Sequence, residues 1–590
     1  MDQKRLLLAI SISLAILVLF QVVADHFVPH RPPNPVIHRV SPNPAAQKMA
    51  SESLPPNAAP GAVSQVGAAK AGAAAPRLRI EAPSVAGSIS LRGARLDDVV
   101  LRDYHLTVKK NSSLVRLLSP ASGHKPYYVQ FGWTPAPGEA VAVPGPDTLW
   151  KASAPTLSPD HPVTLSWDNG AGVTFKLVLS VDEQFMFTVR QEVANHSGKP
   201  VSLFPWSRIR RDYLPEVPGI YILHKGPLGV FNNTLHELSY EATKNQGKRT
   251  GGTAYHETSQ GGWLGITGKY WLTALIPEQN AAMNGAFRYL PRPGHPGSFA
   301  YQTDLMNASP VTAAPGATAA TTMRVFAGAK VLKTLNAYSR QYHIPSFDKA
   351  IDFGWFYFLT KPIFMMLDWL NSRIGNFGIA IIVFTFFVKL VLSPLAVKSY
   401  RSMAKMRNIT PKVQALRERY KDDQVKQQQE TMALYKAEGV NPVAGCLPML
   451  VQVPIFFALY KVIFITIEMR HAPFFGWIQN LAAEDPTNIF NLFGLIPFHP
   501  GQISPFLHIG VLPLILGLTN WGQMQLNPQP PDPVQARMMQ LMPIIYTVML
   551  ARFPAGLVLY YIVNNLLTII QQWVIMRHAT PRQPVLAAKG

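Results

Sequence analysis

A lysine lies near the middle of a long apolar run. Lys389 falls within residues 377–393, which are otherwise aliphatic, aromatic or small, and Thr385 lies one helical turn before it. An ammonium at that depth in a bilayer costs a few kcal/mol. The run therefore predicts a functional polar site, a water-filled cavity that keeps the ammonium solvated. Two alternatives remain open: the side chain reaches the nearer membrane surface, about 12 Å away along a helix, or it pairs with a buried carboxylate.

Other polar residues interrupt the later apolar stretches and could line the same cavity. They are Gln452, Asn520, Gln523, Tyr560, Tyr561, Asn564 and Asn565. For each residue alone, an ordinary interhelical hydrogen bond is the commoner explanation. The predicted site therefore depends on their number together with an unpaired cation, and it comprises Lys389, Thr385, Gln452, Tyr560, Tyr561 and Asn564.

Motifs for common enzyme chemistry are missing from the sequence. It contains no G-x-x-x-x-G-K-[ST], no H-E-x-x-H and no G-x-S-x-G pattern. Its one cysteine, Cys446, excludes an intrachain disulfide, and no Cys/His cluster has the spacing of zinc ligands. We therefore expect no enzymatic activity, no catalytic residues, no bound metal and no cofactor.

The composition favours a membrane protein with more than one domain. The 590 residues are 48% hydrophobic and only 15% charged, and the formal net charge is +21. Such a length exceeds what one hydrophobic core usually holds. The basic excess fits an anionic membrane surface or the ribosome, and we predict no recognition of a specific nucleic-acid sequence.

Apolar segments of membrane-spanning length predict a core of six transmembrane helices. The first is an uncleaved anchor within residues 1–25, for which a cleaved signal peptide is the alternative. The others are residues 377–397, residues 446–467, residues 505–525, and a pair of helices within residues 538–576 that is joined by a turn at residues 553–556.

The charges of the loops predict the orientation of these helices. Residues 398–440 hold ten Lys/Arg against five acidic residues, whereas residues 470–504 hold one, Arg470, against Glu484 and Asp485. Because short basic loops stay in the cytoplasm, both termini are predicted to be cytoplasmic. Residues 398–444, 526–537 and the tail 577–590 are then cytoplasmic, and residues 26–345 and 468–504 are periplasmic.

The predicted periplasmic part begins with a Pro/Ala-rich flexible linker, residues 26–77. Residues 78–330 alternate as strands do; Val173, Phe175, Leu177, Leu179 and Val181 share one face, and residues 185–193 repeat the pattern. This predicts an all-β sandwich. Residues 345–374 carry too many charges for a crossing and predict an amphipathic helix in the membrane interface, with Trp355, Tyr357 and Trp369 at headgroup depth.

The segment 398–444 predicts a basic helical hairpin, in which Pro411 starts a new helical segment or kinks the first. It is either a solvated loop that follows the positive-inside rule or an arm that meets substrate, ribosome or lipid. The cations assigned to this arm are Arg401, Lys405, Arg407, Lys412, Arg417 and Arg419.

Nearly the whole chain from residue 80 resembles the YidC/Oxa/Alb family of membrane protein insertases, in its Gram-negative form. The similar stretches are Gly87–Gly93, Tyr221–Val230, Gly262–Ile266, Lys269–Ala274, Phe326–Lys330, Ser402–Met406, Asn441–Pro448, Gln452–Phe456 and Gly556–Asn564. The resemblance implies a periplasmic β-supersandwich and an inner-membrane helical core around a hydrophilic groove. It also implies nascent membrane proteins, the Sec translocon, the ribosome and membrane lipids as partners.

The resemblance further implies roles for single residues. The family's groove cation falls on Lys389, where many bacterial members have arginine, and its substrate-contacting positions match Thr385 and Tyr561. Lysine keeps the charge but lacks the planar guanidinium fork. Two other functions stay open from the residues alone: a transporter or channel with a polar cavity, and a membrane-anchored periplasmic protein that binds or processes carbohydrate.

Overall fold

A computed structural model describes residues 75–109, 111–215, 223–292, 298–354, 356–439, 447–494, 496, 509–527 and 533–579. The predicted anchor, residues 1–25, lies outside the described residues, and so do nearly all of the predicted linker, Trp355 and the tail from residue 580.

The described residues between 77 and 329 form twenty strands in two sheets. In chain order they are β1 Arg77–Glu81, β2 Val85–Ser90, β3 Arg95–His105, β4 Leu114–Leu118, β5 Tyr127–Pro135, β6 Lys151–Ala152, β7 Thr156–Leu157, β8 Val163–Asp168, β9 Val173–Val181, β10 Met186–Asn195, β11 Val201–Arg211, β12 Gly226–Phe231, β13 Thr234–Glu237, β14 Thr253–Gln260, β15 Trp263–Thr267, β16 Trp271–Pro277, β17 Ala282–Pro291, β18 Phe299–Asn307, β19 Val311–Ala313 and β20 Thr318–Ala329.

The larger sheet has the strand order β14-β17-β18-β11-β5-β3-β2-β1-β7, with β4 paired to β3 and β19 to β11. The other sheet has the order β13-β12-β15-β16-β20-β10-β9-β8-β6. The pairing is antiparallel except between β1 and β7. Antiparallel sheets with one apolar face each bury those faces by packing together.

The two sheets pack face to face, as the alternating pattern predicted. Along β9 every second residue from Val173 to Val181 is buried. The ring centroids of Trp133 on β5 and Phe175 on β9 are 5.0 Å apart. The Gln191 amide on β10 donates to the Gly132 carbonyl oxygen on β5 at 3.0 Å. The prediction of a β-sandwich is confirmed.

Two helices of this region were not predicted. Helix α1, Tyr240–Arg249, begins where the Ser239 side chain accepts the N–H of Ala242, and it is mostly polar, so that it lacks a clear apolar period. Helix α2, Leu332–Gln341, follows β20 and buries Leu332, Leu335 and Tyr338. Both helices are short, and α1 depends on tertiary packing rather than on an apolar stripe of its own.

The predicted interfacial helix is shorter than expected. A 3₁₀ turn at Phe347–Ala350 precedes helix α3, Tyr357–Ile374. Between them Gly354 has a φ of +72°, a conformation that interrupts a helix. Lys361 on α3, one of the charges that argued against a membrane crossing, is neutralised by Asp348 at 2.6 Å. Phe358, Met365 and Trp369 of α3 are exposed.

Six further helices make up the C-terminal part of the described chain. They are α4 Phe377–Arg419, α5 Gln424–Ala437, α6 Leu447–Ile465, α7 Val511–Leu526, α8 Pro533–Leu550 and α9 Ala555–Ala579. The expectation of a helix boundary near residue 398 differs from the structure, because α4 continues through Pro394 and Pro411 to Arg419. A proline removes one backbone donor and bends a helix without necessarily ending it.

Helix α9 lies at the centre of this helical part and packs on α4 and α7, while α8 packs on α7. Gly517 of α7 allows the close approach of Thr547 on α8. Among the described residues, two helices are long and apolar enough to cross a membrane, Phe377–Arg419 and Ala555–Ile575, and two apolar segments, Leu450–Ile465 and Ala536–Leu550, are shorter. The six-helix core therefore stays a prediction.

Candidate functional site

Lys389 points from α4 toward α9, where its ammonium donates to a neutral hydroxyl group. Its Nζ donates to Thr568 Oγ1 at 2.6 Å, and the Thr568 hydroxyl donates to the Asn564 carbonyl oxygen at 2.6 Å. Tyr400, one of the buried residues of α4, also interacts with the Thr568 side chain. Within the described part of the chain, no carboxylate forms an ion pair with Lys389. The ammonium is thus only partly compensated, by the dipole of the Thr568 hydroxyl.

The hydroxyl that binds Lys389 belongs to a row of polar residues on one side of α9. Tyr560, Asn564, Thr568 and Gln572 follow one another at intervals of four residues, and all four are buried. Residues with this spacing lie above one another on a helix. We call these four residues, together with Asn565, the polar seam.

The polar seam binds side chains of two more helices. Tyr560 accepts a hydrogen bond from the Gln452 amide of α6. Asn565 Nδ2 donates to Asn520 Oδ1 at 2.9 Å on α7. Gln572 Nε2 donates to Asn527 Oδ1 at 3.1 Å, at the end of α7. The structure therefore brings Lys389, Gln452, Tyr560 and Asn564 of the predicted site onto one side of α9.

Thr385 does not join this set. Its buried hydroxyl donates to the Ile381 carbonyl oxygen of the same helix at 2.6 Å, an ordinary arrangement for a threonine inside an apolar helix. Tyr561 stands beside the seam, with its ring centroid 5.4 Å from that of Phe456 and 5.5 Å from that of Tyr560. The aromatic contact across α6 and α9 places Tyr561 against the helix that carries Gln452.

Sequence reasoning missed two members of the seam, Thr568 and Gln572. The signal was present, because residues 564, 568 and 572 repeat a polar type every fourth position within the apolar segment 555–576. Single threonines and glutamines in such segments usually form local hydrogen bonds, so neither residue stood out alone. Only the i, i+4 repeat identifies them.

A second lysine lies inside an apolar helix and was also missed. Lys461 of α6 is 8% exposed, and its Nζ lies 3.0 Å from Asp352 Oδ2. Asp352 also accepts the backbone N–H of His224 at 2.9 Å. This pair joins α6 to the segment before α3 and to the β-domain, which makes it a structural contact. The burial of Lys461 is thus compensated by a carboxylate 109 residues away in sequence.

The basic hairpin predicted for residues 398–444 consists of the distal part of α4 and α5. Gln427 Nε2 donates to the Arg417 carbonyl oxygen at 2.9 Å, and Lys412 pairs with Glu438 at 2.7 Å. The other cations assigned to it are exposed; they are Arg401, Lys405, Arg407 and Arg419. Most of the positive side chains of the two helices are thus accessible at the protein surface.

The loop after α6 caps the starts of two helices. Asp485 Oδ2 accepts the Leu512 N–H at 2.8 Å and Thr487 Oγ1 accepts the Val511 N–H at 2.9 Å, at the beginning of α7. The carbonyl oxygen of Ala483 accepts the Ala555 N–H at 2.7 Å, at the beginning of α9. Because these first N–H groups have no partner within their own helices, the loop satisfies both ends at once.

Comparison with solved structures finds a likeness to an active YidC insertase crystal structure in which the first transmembrane domain is resolved. That chain is 18% identical, the match covers 84% of this chain and 92% of that chain, and the TM-score is 0.35.

Two family models match most of the chain, and whole relatives are closely similar. The model described as "YidC periplasmic domain" matches residues 77–366, and that described as "60Kd inner membrane protein" matches residues 369–582. Membrane protein insertase YidC of Acidiphilium cryptum is 63% identical over 100% of both chains. That of Granulibacter bethesdensis is 57% identical, also over 100% of both chains. The chain therefore belongs to the YidC family of membrane protein insertases.

Proposed function

We propose that this chain inserts hydrophobic segments of new proteins into the bacterial inner membrane and assists their folding there, alone or with the Sec translocon. The observation that carries the proposal is Lys389, a cation inside an apolar helix that is hydrogen-bonded to Thr568 and has no carboxylate partner among the described residues. A cation in that position is costly. A client segment that brings negative charge lowers this cost.

The mechanism is electrostatic and uses no fuel of its own. Water and Lys389 lower the cost of bringing a short polar, often acidic, client segment partway across the membrane. The membrane potential assists by about 2.3 kcal/mol per charge per 100 mV. The apolar client segment then moves along α6 and α8 into lipid, where burial of its apolar surface drives insertion. Exposed apolar side chains on both helices suit that path; they are Val453, Phe457, Leu541, Ile544 and Ile545.

The proposal includes an orientation and partners. Six crossings with both termini in the cytoplasm place the polar seam in the membrane, the β-sandwich in the periplasm and the basic hairpin in the cytoplasm. The exposed hairpin cations Arg401, Lys405, Arg407 and Arg419 then face ribosome, Sec translocon or anionic lipid. Two contacts stabilise the hairpin itself: the ion pair of Lys412 with Glu438, at the end of α5, and the hydrogen bond of Gln427 to the backbone carbonyl oxygen of Arg417.

Charge reversal at Lys389 tests the proposal. We expect Lys389→Glu to slow insertion of a substrate with an acidic translocated segment by about tenfold or more, because attraction becomes repulsion. Lys389→Arg should keep most of the activity. The assay is protease protection of a radiolabelled substrate in proteoliposomes, and the matched control is Lys151→Glu, a reversal at an exposed β6 position.

Equal activity of the Lys389→Glu and Lys389→Arg variants would remove the electrostatic role. A sustained ion flux through proteoliposomes that contain the purified protein would favour the transporter alternative instead. Crosslinking of a stalled nascent chain to probes at residues 385, 389 and 561 adds a direct test of the client path. We expect stronger crosslinks at 389 and 561 than at 385, because the Thr385 side chain is buried within its own helix packing.

A further inference from the structure

Two cations flank one tyrosine ring where the β-sandwich meets the end of α6. Lys269 Nζ lies 4.9 Å from the ring centroid of Tyr270 and 3.5 Å from that of Phe464. The guanidinium carbon of Arg470 lies 5.8 Å from the Tyr270 centroid and 5.5 Å from that of Trp271. Aromatic faces attract cations. The rings therefore bring together two positive side chains from separate parts of the chain. We call these five residues (Tyr270, Trp271, Phe464, Lys269 and Arg470) the platform.

The platform carries excess positive charge. Arg470 Nη2 donates to the carbonyl oxygens of His105 and Leu106, the latter at 3.3 Å. Within the residues that the structure describes, neither Lys269 nor Arg470 forms an ion pair. Burial lowers the pKa of Lys269 to about 7, and the nearby cations Lys225 and Arg470 contribute to the shift.

The acidic groups nearest the platform do not balance this charge. Glu468 and Asp103 face Tyr104, whose ring is 5.2 Å from Trp271. Glu468 Oε2 is buried and has no hydrogen-bond partner in the described structure, and burial raises the pKa of Glu468 to about 7. His105 and His471 also lie near Arg470, and neither carries negative charge. An anion from outside is the ligand that would complete this arrangement.

The position of the platform indicates where the anion comes from. Phe464 is next to the last residue of α6, and the Tyr270 hydroxyl donates to the Phe464 carbonyl oxygen at 3.5 Å. In the orientation proposed above, this end of α6 lies at the depth of the outer-leaflet headgroups. Phe457 lies two turns earlier on the same face of α6 and is exposed, so an acyl chain has an apolar surface directly below the cations.

We propose that Lys269 and Arg470 bind the phosphate of an anionic phospholipid from the outer leaflet. Guanidinium and ammonium groups are the side chains that bind phosphate most strongly, the former through paired N–H donors. The aromatic rings cover the glycerol region, and Phe457 meets the acyl chain. The site rests on the proposed orientation of the chain in the membrane, and it goes beyond the insertion reaction.

Lipid retention tests this site without measuring insertion. The full chain is reconstituted in nanodiscs of equal phosphatidylglycerol and phosphatidylcholine, and the lipid that stays bound is counted by native mass spectrometry. We expect Lys269→Gln to lower phosphatidylglycerol retention about fivefold, the effect of one cation near an anionic membrane surface. Lys269→Arg should retain the lipid. The matched control is Lys244→Gln, at an exposed position of α1.

Three outcomes overturn the site. They are unchanged phosphatidylglycerol retention in Lys269→Gln, equal retention of phosphatidylcholine, and complete displacement of the lipid by inorganic phosphate, which would indicate a free-anion site. Near-ultraviolet circular dichroism establishes whether the variants are folded. If Lys269→Gln is not folded, the retention of phosphatidylglycerol by Lys269→Arg tests the site instead. A separate insertion assay of the same samples distinguishes a failed lipid site from a failed insertase, because Lys269 lies outside the polar seam.

Discussion

Two lysines in apolar helices have opposite surroundings. Lys461 of α6 pairs with a carboxylate, that of Asp352, at 3.0 Å. Lys389 of α4 donates to the hydroxyl of Thr568 at 2.6 Å and has no carboxylate partner in the described part of the chain. Both are lysines in segments that the sequence assigns to the membrane. Their partners differ: Lys461 belongs to an ion pair between two parts of the fold, and Lys389 has no carboxylate partner among the described residues.

The physical difference concerns what removal of each cation does to its surroundings. Loss of one member of a buried ion pair leaves the other charge without compensation, which is strongly destabilising. Loss of Lys389 leaves behind the neutral hydroxyl of Thr568, which keeps its hydrogen bond to the Asn564 carbonyl oxygen of its own helix. Stability should therefore depend on Lys461 and activity on Lys389.

The largest expected effect comes from removing the paired lysine. Lys461→Met should lower the free energy of unfolding by about 3 kcal/mol, because Asp352 keeps its charge in a mostly buried position. Lys389→Met should change stability little and slow insertion of acidic substrates. The measurements are thermal unfolding in detergent and the protease-protection assay. The double change Lys461→Met with Asp352→Asn should regain part of the loss, and an unfolded Lys389→Met beside a stable Lys461→Met would reverse the comparison.

Glu468 provides the reverse case of Lys389, because it is a buried carboxylate for which the described residues provide no ion pair. Burial raises the pKa of Glu468 to about 7 from an ordinary value of 4.5. The folded state then binds more protons than the unfolded state between these values, so that stability falls as the pH rises from 4.5 to 7. We expect Glu468→Gln to raise the free energy of unfolding at pH 8 by roughly 1–3 kcal/mol and to change it little at pH 4.5.

Glutamine suits this test because it can still accept the Leu332 N–H, which Glu468 Oε1 accepts at 3.3 Å. Unfolding temperatures of both proteins across this pH range provide the measurement. Parallel curves for the two proteins would show that Glu468 does not titrate in this range. A lower stability of the variant at pH 8 would show that the ionised carboxylate is compensated after all.

The smallest effect concerns the hydroxyl that binds Lys389. Thr568→Val keeps the shape of the side chain and removes the acceptor, which should change stability by about 1 kcal/mol. Insertion of acidic substrates should stay within a few-fold of the parent, because the ammonium keeps its charge. Thr547→Val is the matched control on α8, where the hydroxyl donates to the Pro543 carbonyl oxygen of its own helix at 2.9 Å. A loss of insertion as large as that of Lys389→Glu would assign the hydroxyl a direct role.

Patterns that repeat locally could be predicted from sequence, and the partners of single residues could not. The alternation along β9 predicted its buried face, and the apolar run around Lys389 predicted a polar site that stays a prediction. The contact between Lys461 and Asp352 spans 109 residues and depends on how two elements dock. Thr385 lies on the predicted face of α4, yet its hydroxyl bonds to its own helix, a choice that spacing alone does not reveal.

The loop of residues 481–487 binds the starts of α7 and α9 together. Two helices that are held together at their N-terminal ends can move apart only by pivoting about those ends. Any increase in the distance between these helices must therefore be greatest at their C-terminal ends, near Asn527 and Gln572. In this structure the side chains of these two residues are hydrogen-bonded at 3.1 Å. The spacing of the two helices beside the loop would stay constant during such a movement.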